Sequence, residues 1–437
     1  MPNDVAEQLL ERSSRFVDDG HAGDGATTQP MDASLAEFGD GLAFVASFSH
    51  VIALGGEAGL TLFDTSSEAM AAPVQASLRR WSAAPVDTIV YTHGHMDHVG
   101  GAPRFAEETR AMGAPAPRVI AHHGVADRFH RYDETDGFNA RINARQFGRI
   151  ALMQVVPERW AIDWVWPTVS YSDRLEIELA GEPATLHHDR GETDDHTWVW
   201  LPERRTICGG DFVTWVFPNA GNPQKVQRYP AEWARALHAM AALEPELYLP
   251  AHGLPIAGRD RIARVLADVA HVLESLVDQT LAMMNAGAPL DEILHTVRVP
   301  AELADRPYLQ PTYDEPEFVV RNIWRFYGGW WDGDAANLKP APSGALAAEI
   351  ASLAGGAERV IDRAVALSES GEHRLACHLA ELAVRAEDSP ELHAKRAEIY
   401  TRRRDSERSL MAKGVFRAAA EESTAKVAPE ADRPAMA

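Results

Sequence analysis

Three imidazoles and a carboxylate fall within six residues at His93-Gly94-His95-Met96-Asp97-His98. Imidazole nitrogens and carboxylate oxygens are donors for zinc and related divalent cations. His93 and His95 stand at i and i+2, with Asp97 and His98 at i+4 and i+5, so one short loop can feed two adjacent metal ions from its two sides. Two such cations lower the pKa of a bridging water towards neutrality, and hydrolysis then needs no Ser or Cys nucleophile. The alternative is a His-rich surface loop, which the apolar run VDTIVY directly before it argues against. Of the 18 histidines, 11 lie between His93 and His252, whereas Cys208 and Cys377 are the only cysteines. A centre built from imidazole and carboxylate is therefore expected, with both cysteines as ordinary small apolar residues.

The elements that must position this loop are short β-rich runs alternating with helical stretches. Strands are expected at 42–48, 60–65, 86–93, 118–123, 175–179, 197–202, 205–211 and 246–253, and helices at 68–81, 102–112 and 231–242. The loop sits at the end of the strand 86–93, and Gly100-Gly101 permits a tight turn into the next helix. Beyond Pro255 the β signal vanishes, and apolar residues at helical spacing continue through 344–370, 373–387 and 389–403. The expected division is a flexible arm over 1–35, a catalytic αβ domain over 36–258, a helical domain over 259–422 and a tail over 423–437.

Composition limits the partners. The 437 residues carry a formal charge of −22, which repels phosphate backbones and anionic membranes, so no nucleic acid partner is expected. No run of ~18 apolar residues is present, so no membrane span is expected. The polar start MPNDVAEQLLERSSRF lacks a basic region followed by an apolar one, and a cytoplasmic protein is expected.

The pattern HxHxDH after a β-strand resembles the signature of the metallo-β-lactamase-fold hydrolases. The resemblance implies an α/β fold, an αββα metallo-β-lactamase sandwich with a dinuclear centre of two Zn2+ along one edge of its sheets. It also implies that Asp211, in ICGGD, is the bridging carboxylate, and that His252, in LPAHG, is the last imidazole of the second metal. Their plainer roles would be a helix N-cap and a satisfied core histidine. Where the superfamily usually reads Gly-His-Thr, this chain reads Arg190-Gly191-Glu192-Thr193-Asp194-Asp195-His196. Glu192 in the place of the histidine resembles the alkylsulfatase branch, and His188 competes with it for that role. The segment FYGGWWDGDAANLKPAP and the helices after it resemble the all-α dimerisation domain of the same family, against a generic helical-hairpin array. The implied metal ligands are thus His93, His95, Asp97, His98, Glu192, Asp211 and His252, with a metal-bound hydroxide held by Asp97 and Asp211.

There are two departures from the family. The sequence contains no sterol-carrier-like domain of the kind many long alkylsulfatases append, which argues against long-chain detergents as substrates. After Asp211 it reads FVTWVFPNAGNPQKVQRYPAEW in place of the family's sulfate-gripping pattern, leaving Lys225 and Arg228 as the cations for an anionic head group, or as solvated charges. Trp198, Trp200, Trp215, Phe217, Trp324, Phe326, Trp330 and Trp331 are either walls of an apolar tunnel or core and interface. The expected function is hydrolysis of a sulfate ester of an organic alcohol, a small anionic substrate, by a homodimer, with attack at sulfur or at carbon both open. Another ester, a lactone or a phosphoester is the alternative. A vestigial, non-catalytic sandwich is disfavoured by the complete ligand set.

Overall fold

The computed structural model describes residues 2–20, 28–148 and 162–427. The chain divides into two compact units, one of residues 1–135 with 161–327 and one of 136–160 with 328–437.

The first unit holds two sheets. One contains β1 (Leu35–Gly39), β2 (Leu42–Val45), β3 (Val51–Gly56), β4 (Gly59–Phe63), β5 (Val86–Val90), β6 (Arg118–His122) and β7 (Val169–Tyr171), in that spatial order. The other contains β8 (Arg174–Leu179), β9 (Glu182–His188), β10 (Thr197–Leu201), β11 (Thr206–Gly210), β12 (Leu247–Pro250) and β13 (Ile256–Ala257), in the order β13-β12-β11-β10-β9-β8. Strands β4 to β7 are parallel neighbours, as are β11 and β12, while the remaining pairs are antiparallel.

Alternation along each strand explains the layering. In β2, Leu42 and Phe44 enter the core between the sheets, whereas Ala43 and Val45 face the helices outside. Val90 and Ile120 likewise point inward while Ile89, Val119 and Ala121 point to the helices Glu68–Trp81, Ala102–Ala111 and Gly124–Glu134. Both faces are buried, so these strands read as continuous apolar runs. Pro230–Ala242 and Arg259–Asn285 cover the second sheet with Trp233, Leu237, Leu266 and Leu273, which completes the αββα order.

The expected strands are present, and β1, β3, β7, β9 and β13 are additional. β3 escaped because 46–50, the connection between β2 and β3, has no Gly or Pro to mark the hairpin. β9 opens at Glu182-Pro183 and ends on two histidines, a poor β signal. Three expected boundaries also differ. The arm expected over 1–35 carries the helix Asp4–Asp19, N-capped by Asn3, which buries Ala6, Leu9, Phe16 and Val17 in the main core. Residues 21–27 of that arm lie outside the described residues. The helix Arg259–Asn285, expected to open the helical domain, belongs to the first unit, because ten of its residues are buried there; the division falls at 327/328. The last helix, Leu410–Val427, enters the expected tail, whose remainder, 428–437, lies outside the described residues.

The second unit is helical, with Ser343–Ala354, Ala357–Glu369, His373–Ala386, Pro390–Ser406 and Leu410–Val427 in succession. Its core is built largely from small residues, among them Ala364, Ala376, Ala380 and Ala383, which let helix axes approach closely. Asp136–Phe147, distant in sequence, packs on the last helix, where a Cβ at Gly414 would collide with the carbonyl of Gln146.

Candidate metal centre

The carboxyl ends of β5, β11 and β12 and the turn between β9 and β10 bring the candidate donors together. After β5 the chain runs through His93 and His95 into the short helix Met96–Val99, which carries Asp97 and His98. Asp211 follows β11, His252 follows β12, and Glu192 lies between β9 and β10.

Two donor groups result: His93, His95, Glu192 and Asp211, and Asp97, His98 and His252. In the first, His93 Nε2 lies 3.6 Å from Glu192 Oε2 and 3.9 Å from Asp211 Oδ2, and His95 Nδ1 lies 3.5 Å from Glu192 Oε2. In the second, Asp97 Oδ2 lies 3.6 Å from His98 Nε2 and 3.4 Å from His252 Nε2. Asp211 Oδ1 is 3.5 Å from His98 Nε2 and 3.6 Å from His252 Nε2, so the two oxygens of Asp211 face different groups. Donors about 2.0–2.2 Å from a tetrahedral cation are separated by roughly 3.3–3.6 Å, and most of these spacings fall there.

The chemistry of the site calls for cations. His98 Nε2, Glu192 Oε2 and Asp211 Oδ1 are buried and make no hydrogen bond. Lone pairs of neutral imidazoles and carboxylates are all acceptors, and burying them unpaired is costly. Burial, with the neighbouring imidazoles of His98 and His95, holds His93 well below the usual histidine range and therefore neutral. The residues fit a pair of divalent cations.

Surrounding groups fix which ring nitrogen faces inward. His98 Nδ1 lies 2.7 Å from Asp64 Oδ2, leaving Nε2 for the centre. Asp64 also accepts the backbone N–H and the hydroxyl of Thr92, at 2.7 Å each, and holds φ +59°. The backbone N–H of Asp211 donates to His196 Nε2 at 3.1 Å. Behind His252, Gly253 is held by Gln29 and His50: its N–H donates to Gln29 Oε1 at 2.7 Å, and its carbonyl is 2.8 Å from His50 Nε2. Asp64 ends an apolar run, a placement that could have flagged it; Gln29, His50 and Asn219 carry no sequence signal.

The remaining expected site residues are placed differently. His188 stacks on His122, rings 3.6 Å apart at 9°, with Nδ1 2.9 Å from the carbonyl of His196, and it joins neither donor group. Arg228 is buried, its Nη1 donating to the carbonyl of Glu192 and lying 3.4 Å from Glu192 Oε1. It is no solvated charge; it sits against a candidate donor. Asn219 Nδ2 also donates to Glu192 Oε1. Burial, with Arg228 nearby, pushes the Lys225 ammonium down to about 8, while Asp97 and Glu192 act to raise it. Trp198, Trp215 and Phe217 are core: the Trp198 and Trp215 indole N–H groups donate to Asp189 and to the Leu254 carbonyl, both at 2.8 Å. Phe326, Trp330 and Trp331 are exposed.

Residues 43–252 match the family model described as Metallo-beta-lactamase superfamily, and residues 289–426 the one described as Alkyl sulfatase dimerisation. A linear primary-alkylsulfatase of Pseudomonas sp. (strain ATCC 19151) is 27% identical over 349 residues, 76% of this chain and 66% of that protein. An (R)-specific secondary-alkylsulfatase of Pseudomonas sp. is 25% identical over 369 residues, 76% of this chain and 53% of that protein. The structure of a stereoselective inverting sec-alkylsulfatase from Pseudomonas sp. shares the fold, with TM-score 0.79 at 22% identity over 96% of this chain and 70% of that one. The chain thus spans about half to two thirds of the length of these curated relatives.

Proposed function

We propose, from the pairing of a match to the metallo-beta-lactamase superfamily model over residues 43–252 with a match to the alkyl sulfatase dimerisation model over residues 289–426, that the protein hydrolyses sulfate esters of organic alcohols at a centre of two Zn2+. The observation that carries this reading is the convergence of Glu192, in the place where the superfamily usually has an imidazole, with the six other donors.

His93, His95 and Glu192 would hold one cation, Asp97, His98 and His252 the other, with Asp211 between them. Bound cations of this kind supply a water that ionises near neutral pH and positive charge for a sulfate oxygen. The chain's own groups do the rest. Asp64 and Thr92 orient His98, and His196 orients Asp211. Arg228 offsets the charge that Glu192 adds. Lys225, partly buried near Asp97 and Glu192, supplies a positive charge for the anionic head group, which draws the substrate towards a chain of net charge −22. The second helical unit is read as the dimer-forming part of a homodimer.

A second reading, hydrolysis of a carboxylic ester, lactone or phosphoester, is favoured by one observation: Arg228 is engaged by Glu192, which leaves fewer cations for a sulfate. The test is a panel of primary and secondary alkyl sulfates beside esters, lactones and phosphoesters, assayed on the zinc-loaded protein. Sulfate release is expected; turnover confined to the other esters would sink the first reading. In 18O-water, label in the alcohol reports attack at carbon and label in the sulfate attack at sulfur.

A further inference from the structure

Arg128, on the helix Gly124–Glu134, is a buried charge that the donor set does not use. Its Nε donates to Asp195 Oδ2 at 2.8 Å and its Nη2 to Asp195 Oδ1 at 2.9 Å, with a further bond from Nη2 to Asp194. Asp195 is itself fully buried. The oxygen that takes Arg128 Nε also accepts the backbone N–H of Gly94 at 3.1 Å. Gly94 is the one residue between His93 and His95, whose ring nitrogens lie 2.8 Å apart. A Cβ at Gly94 would stand 2.8 Å from Arg128 Cδ and 3.1 Å from Asp195 Oδ2. Gly94 has no positive φ, so the ion pair, and not backbone strain, demands a glycine there.

Asp195 also lies three residues beyond Glu192. One carboxylate therefore ties the loop bearing His93 and His95 to the loop bearing Glu192, while Arg128 braces it from a third element. A buried ion pair is a poor source of net stability, since an apolar pair of similar volume often serves as well, but its two-pronged geometry holds direction. The other donor group has separate anchors, Asp64 on His98 and Gln29 with His50 on Gly253.

We infer that Arg128 and Asp195 are positioning residues for one half of the centre: they set the affinity for the cation held by His93, His95 and Glu192, and leave the one held by Asp97, His98 and His252 unaffected. This rests on the reading that the seven donors hold two cations. It is tested by titrating cobalt(II) into the metal-free full-length chain, followed by its visible absorption and by calorimetry, for the wild type, Asp195→Asn and Arg128→Lys. The wild type is expected to take two ions. Each variant is expected to keep one at wild-type affinity and to bind the other about 10–100-fold more weakly, with anomalous scattering placing the retained ion among Asp97, His98 and His252.

Equal weakening of both ions overturns the inference, as does an unchanged titration with only a lowered melting temperature, or a retained ion among His93, His95 and Glu192. If Asp195→Asn fails to fold, Arg128→Lys, which keeps a cation beside Asp195, decides. Failure of both to fold counts against the inference, since the pair would then be a folding determinant. A wild type that takes fewer than two ions refutes the underlying dinuclear reading, and that outcome is distinct from any result confined to the variants.

Discussion

Glu192 differs from an imidazole in bringing a formal charge into the donor set, which then holds three carboxylates among four imidazoles. Two divalent cations would bring a charge of about +4 against these three carboxylates, and Arg228, 3.4 Å from Glu192 Oε1, pairs with Glu192 from the protein side when the cations are absent as well as present. The pair explains why an arginine that reads as a head-group residue in sequence is buried against Glu192. His188, at the end of β9, and Glu192, in the turn after it, are separated by a clear prediction. Glu192→Ala is expected to lose one metal per chain and at least about 100-fold in activity, since even outer partners of metal ligands cost 10–100-fold. His188→Ala, which loses only its stack on His122 and a bond to the His196 carbonyl, is expected to keep both metals and activity within about twofold. Metal analysis beside the assay checks this, and the reverse pattern would make His188 the ligand.

At the scale of elements, the centre depends on segments that no local motif marks. The loop bearing Asn219 lies on the helix Pro316–Gly328 because Gly221 has no side chain: a Cβ there would collide with the backbone of Phe318 and Val319. Asp314, fully buried, clamps that loop by accepting the N–H groups of Gly221 and Asn222 at 2.7 and 3.1 Å, and that of Glu315 at 2.7 Å. Burial pushes the Asp314 carboxyl up to about 7, against the pull of these amides. A carboxyl whose folded pKa is raised binds more protons in the folded state. Its stabilising contribution is complete below about pH 4 and is lost as pH rises through 7. Asp314→Asn has no such titration, so the melting temperature of the wild type is expected to fall relative to the variant between pH 5 and 8. Parallel profiles would show that the three amides outweigh burial and keep the carboxylate ionised throughout.

Over the whole molecule, the convergence of Asp97, Glu192 and Asp211 is a cost that the proposed cations would relieve. Chelation is therefore expected to lower the melting temperature by several degrees, and zinc at a hundredfold excess over its Kd to restore about 2.7 kcal/mol per site; scanning calorimetry with and without metal checks it, and identical scans would deny the centre its ions. No described helix is long and apolar enough to cross a membrane. What the sequence determined by itself is what depends on neighbours along the chain: the His93–His98 cluster, the strand that ends in it, the αβ-then-helical order and the β10–β11 hairpin. Alternation and ligand spacing are local, and the apolar run of β2, like the Ile89-Val90 end of β5 and the Trp198–Leu201 stretch of β10, is visible in one dimension. Only the tertiary structure decided which loops meet. Gln29 reaches Gly253, Arg128 reaches Asp195, and Asp314 reaches Gly221, each across 67 or more residues. It also decided that Glu192 and not His188 lies among the other donors, because His188, at the end of β9, is held on His122 and the His196 carbonyl, while Glu192, in the turn beyond, is held by Arg228 and Asn219, partners distant in sequence.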